Sequence, residues 1–238
     1  MSKAYKGKTC VYCCVPGSSG TGDHVVARTF FLEKFRSNLP KVPACEPCNS
    51  KKSELEHYLA TVLPFSNHHQ ESRSILNEKI PNRLAKNVKL YQVLQSGAAW
   101  KQHVKSDGTF HNEMTLPLDG LKMEMLFKMI AQGLSYFHWN LLLPHNTCDI
   151  TGGYLIPEGV EIVERLLSMN AGKRVKEVLG GGAFEYEGVQ ATDRPEITIW
   201  RMSLYGALVG GDEHCPSLRV SNAYVTTAPS GKALPINS

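Results

Sequence analysis

Apolar residues recur at helical spacing in three stretches of the chain. The first stretch begins at Pro47 and ends before Pro64, with apolar positions at Leu55, Tyr58, Leu59 and Leu63. The second covers 119–139 behind an Asp119-Gly120 start, and its predicted inner face comprises Leu121, Met125, Leu126, Met129, Ile130, Leu134 and Phe137. The third covers 158–169, with Val160, Val163, Leu166 and Leu167 predicted to face inward. Each pattern predicts an amphipathic helix.

Strand-like runs dominate the end of the chain. The runs 183–189, 197–209 and 218–227 are rich in β-branched and aromatic residues, and 180–182 is a glycine turn before them. Two interpretations of Phe184, Tyr186, Trp200 and Tyr205 stay open: the core of a small antiparallel sheet, or an aromatic pocket for a nucleotide or a protein partner. In the middle of the chain, 89–94 and 98–104 predict short strands or a helix-strand pair.

The first sixty residues carry the clearest chemical pattern. Two Cys-x-x-Cys pairs, Cys10/Cys13 and Cys45/Cys48, are separated by 31 residues. Each pair can present two thiolates to one ion, so together they predict a closed, structural zinc site with four cysteine ligands. Buried free thiols or a redox pair are the alternatives, but a single redox motif does not explain two pairs. The remaining cysteines, Cys14, Cys148 and Cys215, are predicted to be free thiols.

Composition and charge narrow the function classes. The 238 residues are typical of an ordinary soluble protein, with no apolar run of membrane-spanning length and no signal-peptide core at the start, which predicts a cytoplasmic protein with no membrane contact. The net charge of +4 is concentrated in residues 1–60, which hold nine Lys and Arg against five Asp and Glu. The excess predicts either a phosphate-backbone contact or a plain solvated surface; the candidate contacts are Arg28, Lys41, Lys51 and Lys52.

Three further polar residues lie between or beside the cysteine pairs. Asp23 and His24 are consecutive on a predicted strand, and Asn49 directly follows the last cysteine at the start of a helix. Zinc held by four thiolates does not need them. Oxygen ligands suit a hard cation such as Mg²⁺ or Mn²⁺, and a histidine beside it can act as a general base. The pattern favours a metal-dependent nuclease.

The string GDHVVARTFF…SNLPKVPACEPCNSKKS resembles the HNH (ββα-metal) endonuclease motif. Matched residue by residue, Asp23-His24 are the first-strand pair, Asn38 is the central Asn and Asn49 takes the third position. This is an H-N-N variant, as in the HNH domains of RNA-guided nucleases. The strings CVYC, DHVV and NLPKVPACEPCN are similar to bacterial HNH proteins with a CIYC…DEHVPP…NLxxVPACxxCNN pattern, which occur in anti-phage and mobile-element settings. Two departures are Cys14 after the first pair and Val26-Ala27 in place of two prolines.

The resemblance implies a role for each matched residue. His24 would activate water, Asp23 and Asn49 would hold one Mg²⁺ or Mn²⁺ ion, and Asn38 would bond across its loop to orient His24. DNA is then the implied partner and substrate. Glu56 and His57, farther along the predicted helix, are expected to lie on a solvated face rather than to act as further ligands.

The predicted fold class is α+β in three parts. Residues 1–63 form a zinc-stapled ββα-metal (HNH) module, 64–115 a basic connector, and 116–238 an α+β domain of unassigned role that offers a surface for a protein partner or ligand. Two functions stay open. The favoured one is a DNA endonuclease; the other is a catalytically silent zinc module that binds nucleic acid or a protein. A pure binding module has no need of Asp, His and Asn at these positions.

Overall fold

The computed structural model describes residues 3–66, 70–104, 108–155, 157–169, 172–206 and 222–231. The helices within these ranges are α1 (Glu46–Val62), α2 (Gln70–Glu78), α3 (Ile80–Lys86), α4 (Val88–Gly97), α5 (Gly120–Trp139) and α6 (Pro157–Met169). The strands are β1 (Thr21–His24), β2 (Lys41–Ala44), β3 (Ala99–Val104), β4 (Phe110–Thr115), β5 (Cys148–Gly153), β6 (Lys173–Leu179), β7 (Phe184–Gln190), β8 (Thr198–Leu204) and β9 (Ala223–Pro229). The α+β class predicted from the sequence is confirmed.

The N-terminal part is a short hairpin followed by a long helix. Strands β1 and β2 pair antiparallel, with Asp23 opposite Val42 and His24 opposite Lys41. Helix α1 begins at Glu46, directly after Cys45, and Pro47 stands in its first turn, where the missing amide proton costs nothing. The predicted helix after Pro47 is therefore confirmed. This order of elements brings both cysteine pairs to one end of the hairpin.

Residues 64–115 form more regular structure than a connector implies. Helices α2, α3 and α4 follow one another, and α4 leads directly into a β3–β4 hairpin. Of the two alternatives for this stretch, the helix-strand pair is the one observed. The guanidinium of Arg83 on α3 donates to the carbonyls of Ala60 (2.6 Å) and Thr29 (2.8 Å), which ties this segment to the N-terminal part.

The C-terminal part is a five-stranded antiparallel sheet in the order β5-β9-β8-β7-β6. The predicted strands at β7, β8 and β9 are confirmed within the described residues; 207–209 and 218–221 lie outside them. Phe184, Tyr186, Trp200 and Tyr205 are buried, as the core interpretation requires. Strands β5 and β6 were not predicted, because CDITGG and KRVKEVL carry no run of apolar residues.

Helix α5 packs against α1 and β2 on one side and against β5, β8 and β9 on the other. Its predicted extent is confirmed, with Asp119 capping it through a bond from the Lys122 amide. Its predicted inner face is partly wrong: Leu121 is 76% exposed, and Met125 and Phe137 are also exposed. Because the helix is enclosed from two sides, Met123 and Phe127 are buried as well and the middle turns are buried all round.

One continuous core joins the N-terminal part to the sheet. Buried residues from Cys10 to Val225 form a single apolar cluster, and the Tyr205 hydroxyl donates to the Phe30 carbonyl at 2.9 Å. Helix α6 buries Val163 and Leu167 against β7, β8 and β9 in a second, smaller cluster, with Val160 and Leu166 partly buried, as predicted. Among the described helices, none has both the length and the apolar character needed to cross a membrane.

Candidate functional site

The four cysteines of the two pairs converge. Their Sγ atoms all lie within 4.8 Å of one another, and Sγ of Cys13 is 3.8 Å from Sγ of Cys45. Four thiolates at about 2.3 Å from a tetrahedral zinc ion lie roughly 3.8 Å apart, so the cluster has the size of such a site. Burial raises the pKa of the Cys10 and Cys48 thiols, which means that a bound cation is what would favour their thiolate forms. The four cysteines can hold a metal ion.

The neighbouring cysteine, Cys14, is not part of this cluster. Its backbone is left-handed, with φ 57°, and its thiol contacts the Val11 carbonyl at 3.8 Å. The turn that positions Cys10 and Cys13 therefore directs the Cys14 thiol away from the cluster, in agreement with the predicted free thiol. Cys148 is also outside the cluster and buried, and Cys215 lies outside the described residues.

Asp23 on β1 is buried, and its carboxylate has two side-chain partners. The Tyr12 hydroxyl donates to its Oδ2 at 2.5 Å, and Nζ of Lys52 lies 3.0 Å from the same oxygen. No hydrogen bond reaches Oδ1 from the part of the chain that the structure describes. Oδ2 of Asp23 is therefore held by two partners, whereas Oδ1 has no donor among these residues.

Lys52 corrects a sequence prediction. It was expected to contact DNA, but it is 0% exposed. Its ammonium contacts Asp23, the His24 carbonyl at 2.8 Å, and the Glu56 carboxylate one turn along α1. Lys52 lies on the buried side of α1 with Leu55 and Leu59, and its side chain reaches β1. A buried, fully engaged ammonium cannot contact a phosphate backbone.

Glu56 completes a buried polar cluster of Tyr12, Asp23, Lys52 and Glu56. The expected solvated helix face is correct for His57, which is exposed, and wrong for Glu56, which is buried. Burial, together with the negative charge of Asp23, raises the pKa of Glu56 to about 7 even though the neighbouring Lys52 lowers it. The i,i+4 spacing of Lys52 and Glu56 was the sequence signal for this pair; no pattern pointed to Tyr12.

His24 follows Asp23 on β1, and its side chain therefore leaves the strand on the opposite side. The ring is half-buried. Burial, together with the positive charges of Lys41 and Arg28, lowers the pKa of His24 to about 4. The imidazole is consequently neutral at pH 7 and can accept a proton. The Lys52 ammonium donates to the backbone carbonyl of His24, so His24 and Asp23 contact the same side chain.

The two asparagines occupy different settings. Asn49 is half-buried in the first turns of α1, one turn before Lys52. Its backbone amide donates to the Cys45 carbonyl at 3.0 Å. Asn38 is exposed, with a left-handed backbone (φ 60°) that Asn adopts more readily than most residues. Within the described residues its side chain makes no hydrogen bond, so the predicted bond across the loop is not observed. In this structure the left-handed backbone of Asn38 forms part of the turn before β2.

Three of the four predicted DNA contacts are at the surface. Arg28, Lys41 and Lys51 are exposed. Lys41 pairs with His24 across the hairpin, and Arg28 and Lys41 are close enough to His24 to lower its pKa. Two exposed positive side chains thus lie near the half-buried imidazole.

No known protein family, curated protein or solved structure matches the chain. The geometry of the cysteine cluster, the buried polar cluster and His24 is therefore what a functional assignment must rest on.

Proposed function

We propose that the protein is a metal-dependent endonuclease of the HNH type that hydrolyses DNA, with His24 as its general base. One observation carries the proposal: a neutral, half-buried imidazole follows a carboxylate on β1 and is bordered by exposed cations. A neutral base, an anion that can hold a cation, and positive charge for the phosphate backbone are the groups that phosphodiester hydrolysis needs.

Two metals fit different donor sets. Zinc fits the cysteine cluster, where four sulfur donors would leave no open position, so its role is structural. A hard cation fits oxygen donors, and Asp23 Oδ1 and the Asn49 side-chain oxygen are the groups that would hold Mg²⁺ or Mn²⁺. When bound there, that cation would neutralise negative charge on the scissile phosphate and on the leaving oxygen.

The chain's own residues then have distinct tasks. His24 accepts a proton from a water molecule while the water oxygen forms a bond to phosphorus and the bond to the 3′ oxygen breaks. Arg28, Lys41 and Lys51 bind backbone phosphates, which places the reacting group over the hairpin. Tyr12 and Lys52 hold Asp23 Oδ2 and so leave Oδ1 as the free oxygen.

The Lys52–Asp23 ion pair favours a second candidate function. An ammonium already neutralises Asp23 at 3.0 Å, which weakens the attraction of this carboxylate for a cation. A zinc-stapled module that binds nucleic acid or a protein without cutting would tolerate that pairing. The neutral His24 has no evident use in such a module, and for that reason we favour the nuclease.

Metal removal separates the two functions. Brief EDTA treatment of the zinc-loaded protein is expected to stop cleavage of plasmid DNA with the fold intact, and Mg²⁺ or Mn²⁺ is expected to restore it without added zinc. Asp23→Asn should reproduce the EDTA effect, whereas Asn49→Ala should weaken the metal response less, because an amide oxygen carries no charge. Cleavage that persists in EDTA, or that only zinc restores, would contradict the hard-cation assignment.

A further inference from the structure

We propose that Lys52 is a positioning residue that fixes the general base and the cation-holding carboxylate relative to α1; the inference rests on the proposed nuclease function. Nζ contacts three oxygens: Asp23 Oδ2 at 3.0 Å, the His24 carbonyl at 2.8 Å and a Glu56 carboxylate oxygen. Two of these belong to β1 and one to α1. A single side chain thus joins the two elements that carry the proposed site.

The three contacts use the whole donor capacity of the ammonium. Lys has three N–H donors and no acceptor, and each donor has an oxygen partner here. Because Lys52 is fully buried, water cannot replace any of them. The ammonium can be satisfied only when Asp23 and the His24 backbone are both in place.

The contacts restrict the groups that would react. Oδ2 of Asp23 is held between Lys52 and the Tyr12 hydroxyl, and this fixes the direction of the free Oδ1. The hydrogen bond to the His24 carbonyl fixes the backbone from which the imidazole projects. A shift of about 1 Å in a reacting group can reduce a rate roughly 10²-fold, so small movements here matter.

A purely structural role would not require a charge at this position. Replacing a buried ion pair with apolar side chains of similar volume is often neutral or stabilising, so stability alone does not explain a lysine on the inner face of α1. The Lys52 ammonium contacts the two consecutive residues, Asp23 and His24, to which the proposed chemistry is assigned. Positioning those residues accounts for the lysine.

The test compares two Lys52 variants of the zinc-loaded 238-residue chain. Lys52→Met removes the ammonium and keeps the length of the side chain, and the double variant Lys52→Met/Glu56→Gln avoids leaving the Glu56 carboxylate without its counter-ion. The control is Lys89→Met, the same substitution at an exposed site on α4. Steady-state cleavage is measured in Mg²⁺, DNA affinity by fluorescence anisotropy in EDTA, and the His24 ring by ¹H–¹³C NMR, assigned with His24→Ala.

Both Lys52 variants are expected to lose about 10²-fold in kcat with DNA affinity and KM within about twofold of wild type, and to shift the His24 ring signal. Lys89→Met should match wild type in all three. If Lys52→Met does not fold, the double variant decides. Wild-type kcat or an unmoved His24 signal in a folded Lys52 variant would overturn the positioning role alone, whereas a wild-type protein without Mg²⁺-dependent cleavage would overturn the nuclease proposal and this inference with it.

Discussion

The charges buried between β1 and α1 are unequal. One ammonium, Lys52, faces two carboxyl groups, Asp23 and Glu56, and the Tyr12 hydroxyl supplies a further donor. The imbalance is reduced because burial disfavours the charged form of Glu56 and raises its pKa to about 7. Stability should therefore depend on pH through this residue.

Glu56→Gln tests that dependence. The pKa of Glu56 is higher in the folded than in the unfolded chain, so its burial costs nothing below about pH 4.5 and increasingly destabilises the fold as pH rises to about 7. The variant lacks this cost. Its unfolding free energy minus that of wild type should therefore rise from pH 5 to pH 8, by on the order of 1–3 kcal/mol, since one pKa unit corresponds to about 1.4 kcal/mol.

Denaturant unfolding of zinc-loaded protein without Mg²⁺ at both pH values gives the comparison. Glu54→Gln, the same change at an exposed position of α1, is the control and should show no pH-dependent difference. The buried-acid interpretation would be wrong if the Glu56→Gln difference were constant or fell with pH.

At the scale of single residues, the sequence predicted the cysteine cluster but not the partners of the buried charges. The cysteine spacing was informative because few structural roles require two such pairs. Lys52 was predicted to be at the surface because lysines are seldom buried without partners, and its partners lie on β1, far upstream in the chain, and one helical turn downstream. Only the tertiary structure shows that these partners meet Lys52.

Helix α5 contacts residues that adjoin the proposed site. Gly133 lies against Val25, the residue that follows His24, and the Gln132 side chain donates to the Tyr12 carbonyl at 3.3 Å. A Cβ on Gly133 would stand 2.9 Å from Cγ1 of Val25, closer than such atoms normally approach. The glycine is what allows the helix to lie so close to the end of β1.

Gly133→Ala should therefore disturb the site from a distance. Overpacking costs about 1–3 kcal/mol, and the higher helix propensity of alanine returns up to about 1 kcal/mol, so a net loss of roughly 1 kcal/mol is expected, together with slower cleavage. Gly120→Ala is the matched control, because Gly120 begins the same helix with nothing within 4 Å of an added Cβ. Thermal unfolding that ranks the two variants in the opposite order would contradict this packing.

Element prediction succeeded where one periodicity dominated. Helix α6 has one buried face, and its pattern was clear. Helix α5 is enclosed from two sides, so its apolar residues do not mark a single face. Strand β6 lies at the sheet edge with Lys173, Arg174 and Lys176 exposed, which gives it the composition of a loop.

The molecule as a whole shares one apolar core between the cysteine cluster and the sheet. Cys10 and Cys45 are themselves members of that core, alongside residues of α5 and β8. A metal at the cluster would therefore stabilise more than the N-terminal hairpin. The long-range packing that creates this core has no local sequence signature, and the division into three parts stays a prediction.

Cys45→Ser tests the contribution of the metal. Zinc binding supplies about 10–16 kcal/mol in comparable peptides, so losing one thiolate should abolish stoichiometric zinc and give an insoluble or protease-sensitive protein. Cys14→Ser is the control, because Cys14 lies next to the first pair but outside the cluster and should retain one zinc per chain. Elemental analysis and limited proteolysis provide the readouts; active wild-type protein without zinc would refute the assignment.

The most direct test of the nuclease assignment is cleavage of supercoiled plasmid by wild type and His24→Ala in Mg²⁺. Removing a general base typically costs about 10²–10⁴ in rate, and the half-buried ring is not a ligand of the cysteine cluster, so the variant should fold and bind DNA yet cut at least about 10²-fold more slowly. Cutting by His24→Ala at the wild-type rate, or no Mg²⁺-dependent cutting by wild type, would contradict the account.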